Sequence, residues 1–137
     1  MAAMEYGKLE EPFEGFLLMG VFAPGEHDVA SLLLYHNGEA CLLEVPPDPV
    51  LVYQVRDTLE AHGLELKYIA ATHRHFDHWD ERLVELLMEE HPGASVLSNH
   101  EDVFTHLGGE LLVSLHCPKH SLSDQVVLFR GCGDGGH

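Results

Sequence analysis

Basic side chains are scarce in this sequence, with 7 lysines and arginines against 23 aspartates and glutamates, a formal net charge of −16 over 137 residues. A phosphate backbone would meet repulsion over most of such a surface, so nucleic acid is excluded as an expected partner. Cysteine is also sparse. Cys41, Cys117 and Cys132 are odd in number and lack paired spacing, which argues against a disulfide framework and fits a reducing, cytoplasmic setting. The longest apolar runs, such as Phe16 to Ala23, fall far short of the roughly 20 residues that cross a bilayer, so no membrane partner is expected. Met1 to Glu10 lacks a basic start followed by an apolar stretch, so no secretory leader is expected. Repeats, low-complexity tracts and interdomain linkers are absent as well, and the expectation is one domain over residues 1–137.

The chain does carry a legible order of elements. Val29 to His36 and Glu39 to Val45 are apolar-rich runs joined by Asn37-Gly38, a strong hairpin signal. Pro46, Pro47 and Pro49 then break the sheet. From Val50 to His62 the apolar residues Leu51, Val52, Val55 and Leu59 fall at helical spacing, and Gly63 is a stop. Leu66 to Thr72 predicts a strand. Glu81 to His91 predicts a second helix, with Asp80 as its N-cap and Pro92-Gly93 closing it. Ser95 to Ser98, Leu111 to Leu115 and Gln125 to Phe129 predict further short strands, with a helical turn over Glu101 to His106. This is a mixed α/β (α+β) pattern.

Between the predicted strand and the second helix stands His73-Arg74-His75-Phe76-Asp77-His78, three imidazoles and a carboxylate within one short loop. Nitrogen and oxygen donors of this kind suit Zn²⁺ and also take Fe²⁺ or Mn²⁺. Where the chain is still extended, His73 and His75 point to the same side and can share one metal, while Asp77 and His78, past a turn, can serve a neighbouring one.

Ala71-Thr72-His73-Arg74-His75-Phe76-Asp77-His78 resembles the T-H-x-H-x-D-H signature of the metallo-β-lactamase superfamily. Pro118-Lys119-His120-Ser121 is similar to its later P-G-H-S/T segment, with Lys119 in place of glycine, and Gly133-Asp134 to its G-D. Where that family's strand before the first helix ends in D-x-G, this chain reads Glu44-Val45-Pro46-Pro47. The resemblance implies a β-sandwich with flanking helices, in which His73, His75 and His120 bind a first metal, Asp77 and His78 a second, and Asp134 bridges them. It implies hydrolysis of an ester-like bond (thioester, lactone or phosphodiester) in a small-molecule substrate, with a hydroxide held between one or two Zn²⁺ ions as nucleophile and Asp77 as the candidate catalytic carboxylate. The alternatives are a mononuclear iron enzyme like the persulfide dioxygenases and a non-catalytic metal-binding module.

Few residues follow His120, whereas family members continue into a second set of strands and helices, so the resemblance implies an incomplete second half and a homo-oligomer covering the exposed edges. Cys132, Cys117 and His137 are further candidate ligands. His91, His100, His106 and His116 are candidates to extend the site, Trp79 to wall it or pack on the sheet, and Cys41 reads as strand core.

Overall fold

The computed structural model describes residues 10–13, 16–22, 29–72, 79–117 and 125–129. Strands β1 (Glu10–Phe13), β2 (Phe16–Phe22), β3 (Val29–His36) and β4 (Glu39–Leu43) form an antiparallel meander. The β3–β4 turn is the expected Asn37-Gly38, both in the left-handed region at φ 48° and 83°, a conformation that glycine and asparagine adopt readily.

Helix α1 (Val50–His62) then crosses over to β5 (Glu65–Ala70), which pairs parallel to β4, and α2 (Glu81–Glu90) crosses over to β6 (Ser95–Val96), parallel to β5. These six strands make one sheet in chain order. The remaining strands, β7 (Val103–Leu107), β8 (Glu110–His116) and β9 (Gln125–Phe129), form a second, antiparallel sheet.

Alternation along the strands divides the core in two. Leu33, Ala40 and Leu42 face the helices, where they pack with Leu51, Val55 and Leu59 of α1 and Leu83, Val84 and Leu87 of α2. Leu34, Cys41 and Leu43 face the other way, against Leu107, Leu112 and Phe129 of the second sheet. The layers are therefore helices, sheet, sheet. Leu66 and Ile69, three apart in β5, both reach the helix side. The register explains it: Ala40 pairs with Leu66 but Cys41 with Tyr68, so Lys67 is an extra, bulged residue.

The helices follow expectation at both ends. Gly63 stops α1 at φ 63°, and the Asp80 carboxylate caps α2 by accepting from the Leu83 N–H at 3.0 Å. The helical turn expected over Glu101 to His106 is corrected: Val103–Leu107 is a strand. Its β-branched and aromatic residues pair with β8 across Gly108-Gly109, a second positive-φ hairpin at 59° and 91°.

Candidate metal centre

The donor-rich loop itself, with His73, His75, Asp77 and His78, lies outside the described residues, as do His120, Asp134, Cys132 and His137. What the structure describes is how that loop is held. On its N-terminal side Ala71 is buried, and Thr72 follows it directly past the end of β5. Glu44, just beyond β4, reaches Thr72 with both carboxylate oxygens: Oε1 accepts from the Thr72 N–H at 2.7 Å and Oε2 from its hydroxyl at 2.8 Å. Glu44 is 6% exposed and sits at φ 71°, a strained conformation for a non-glycine residue. Two hydrogen bonds to one buried carboxylate meet its need for donors and fix the strand end. The Glu44 N–H donates to Ala70 O at 2.8 Å, and its own carbonyl accepts from the Ser31 hydroxyl at 2.8 Å. On the opposite flank, buried Asn99 donates through Nδ2 to Ala71 O at 2.8 Å.

The C-terminal side of the loop is fixed to the neighbouring residue. Trp79 forms a parallel bridge with Val45, and the Asp80 N–H donates to Val45 O at 2.8 Å. Trp79 packs in the helix-side core, and its Nε1 donates to Glu81 Oε1 at 3.1 Å. The dipeptide Glu44-Val45 thus secures both ends of residues 73–78. The sequence reading missed Glu44 and Asn99 as positioning residues. For Glu44 the signal was an acid closing the apolar run Ala40 to Leu43 just where the resembling family places its own acid; Asn99 gave none.

A second chain exit comes to the same place. His116 closes β8, its N–H donates to Asp102 Oδ1 at 2.8 Å, and its ring lies 6.4 Å from that of His100. His100 follows Asn99, which holds Ala71, so the exit toward His120 and the exit toward His73 share one end of the fold. Cys117 there is a half-buried free thiol, whereas Cys41 is fully buried core. Strand β9 runs the other way: Gln125 pairs with His116 and Phe129 with Leu112. His91 ends α2 at the opposite side of the molecule, and His106 is exposed on the second sheet. Among the described residues no three histidine, cysteine, aspartate or glutamate side chains gather as a metal-holding group.

Solved structures with the same arrangement of strands and helices identify the architecture. The subclass B3 metallo-β-lactamase BJP-1 of Bradyrhizobium japonicum superposes with a TM-score of 0.68 at 14% identity, over 92% of this chain and 58% of its own. This is a metallo-β-lactamase fold. A Cronobacter sakazakii metallo-β-lactamase variant gives a TM-score of 0.71 at 18% identity over 97% of this chain and 61% of its own. A class B3 di-zinc metallo-β-lactamase from an Alaskan soil metagenome gives 0.69 at 15% over 91% and 58%. The chain thus spans about three-fifths of the length of these metallo-β-lactamase structures. No family model and no curated protein sequence matches it.

Proposed function

We propose that this chain is a metal-dependent hydrolase acting on an ester-like bond of a small molecule, with thioester, lactone and phosphodiester substrates all in scope. The observation that carries the reading is that Glu44 and Val45 clamp both ends of a three-histidine, one-carboxylate loop within a metallo-β-lactamase fold. The donor chemistry fits the metal. His73, His75 and His120 would hold a first Zn²⁺, Asp77 and His78 a second, and Asp134 would join them. When bound, the metal supplies Lewis acidity and brings the pKa of a water from about 15.7 toward about 7. The chain itself contributes anchorage: Glu44 and Asn99 hold the strand end from two sides, and Asp80 fixes the start of α2, so the loop spans two fixed points. Asp77 would be the carboxylate that orients the attacking water and takes its proton.

We also expect a homo-oligomer working in the cytoplasm. The outer face of the second sheet exposes Phe104 (66%) and Leu128 (47%), which flank Val113 in the register, and Leu111 (47%) on the same face, on a chain whose charge is otherwise strongly negative. Sedimentation of dilute protein checks this, with a monomer at micromolar concentration against it.

The deciding experiment is metal content per chain, followed by assay of the zinc-loaded protein on a thioester, a lactone and a phosphodiester. The paired substitution His73→Ala and His75→Ala should remove the metal, abolish hydrolysis and lower the melting temperature, because ligands that join two segments couple binding to folding. Iron as the sole metal, or a zinc-loaded protein inert on all three substrates, would replace the proposal.

A further inference from the structure

The helix layer has another end, away from Thr72, where α1 and α2 finish and β5 begins. A cavity of about 710 Å³ opens there, within the usual size of small-molecule sites. Its floor is apolar, made by Leu59 and Leu66, both buried, with Pro92 beside them. Glu60, Glu65 and Glu90 are on its lining, and Glu65 Oε2 lies beside Gly93.

Three further features make this cavity electrically negative. Both helices direct their C-terminal ends to it, and each carries the partial negative charge of its last carbonyls. The last turn of α2 has no basic residue; Glu89 and Glu90 occupy it instead, against the helix dipole. His91, which follows, supplies no compensating charge at neutral pH, because burial holds its pKa below the usual 6.5 in spite of the nearby Glu90. Its Nε2 is buried and has no hydrogen-bond partner among the described residues. The one guanidinium on the lining, that of Arg56, stands 3.7 Å from the Asp57 carboxylate and lies over the Tyr53 ring at 5.1 Å. Acidic residues in the last turn of α2 run against its dipole, and sites are one place where local rules are broken in this way.

We propose that this cavity binds a short aliphatic amine, with its ammonium group among Glu60, Glu65 and Glu90 and its hydrocarbon on Leu59 and Leu66. A chelated metal is the poorer fit, since the described residues hold no three-donor group and an ion would leave the floor wet. The inference rests on the fold and not on the hydrolytic reading.

The test is titration of 1,6-diaminohexane into the isotope-labelled chain, followed through the backbone amides of Leu64, Glu65 and Gly93. A saturable shift confined to these amides is expected, weakened by raised salt, with 1,6-hexanediol binding about tenfold less tightly. Glu65→Gln with Glu90→Gln should weaken the diamine about three- to tenfold. Gly93→Ala should also weaken it, because a Cβ there would stand 2.9 Å from Glu65 Oε2 and push the carboxylate aside. Circular dichroism identifies any variant that has lost its fold. Equal binding of the diol, the same shifts from Mg²⁺ alone, or no saturable shift at millimolar diamine would each overturn the proposal.

Discussion

The two ends of β5 were built under opposite rules. At its C-terminal end every feature restrains: buried Glu44 takes two hydrogen bonds from Thr72, buried Asn99 holds Ala71, and Trp79 pins the returning chain. At its N-terminal end negative charge accumulates on exposed side chains around an open cavity. The same strand therefore has one end organised for position and one for potential. A donor-rich loop needs its ends placed within fractions of an ångström, which buried hydrogen bonds achieve, whereas a charged recess needs only a field.

The contrast can be broken most forcefully at Glu44. Glu44→Ala removes the acceptor of two hydrogen bonds and leaves Thr72 donors without it, at an expected cost of about 2–3 kcal/mol in urea unfolding together with lower zinc retention. Glu44→Gln keeps an acceptor and should lose about half as much. Equal stability of wild type and Glu44→Ala would show that the strand end is held by other means. Asn99→Ala should cost about 1–2 kcal/mol by the same measurement, through the lost bond to Ala71.

At the other end the sign reverses. Glu89→Lys should raise stability by about 0.3–1 kcal/mol, because it replaces an anion with a cation in the last turn of α2. The smallest effect concerns His91. Its folded pKa lies below the usual 6.5, so the unfolded chain binds more protons between those two values. Stability from this group is complete above pH of about 6.5 and declines as the pH falls toward the folded value. Urea midpoints at pH of about 7.5 and 5.5 should therefore differ less in His91→Gln than in wild type. An unchanged difference would sharpen the comparison by removing His91 from the negative end.

The two hairpins show what the sequence made legible. Asn37-Gly38 announced its turn because both flanking runs are apolar and the turn residues favour positive φ. Gly108-Gly109 carries the same chemistry, yet Glu101 to His106 before it mixes acids, a histidine and few aliphatics, and reads locally as a polar turn. Its strand identity comes from pairing with β8, a tertiary fact. The helices were legible to within a residue because amphipathic spacing and terminal residues agreed. The donor loop stands out by composition, and the residues that hold its ends do not: Glu44 and Thr72 are separated by a whole helix and strand, and no local pattern records that they meet.

The tips of those hairpins also meet each other. The Asn37 side-chain amide donates to Gly108 O at 2.9 Å, the Gly108 N–H donates to Glu39 Oε1 at 2.8 Å, and a Cβ on Gly108 would collide with the His36 carbonyl. For the folding chain this clasp is expected to close late. Each hairpin closes locally, on the order of 1–10 μs, but the clasp must bring together residues 71 positions apart and bear the entropy of that loop. Substituting Gly108 should then leave the folding rate nearly unchanged and speed unfolding, so the two sheets come apart sooner once assembled.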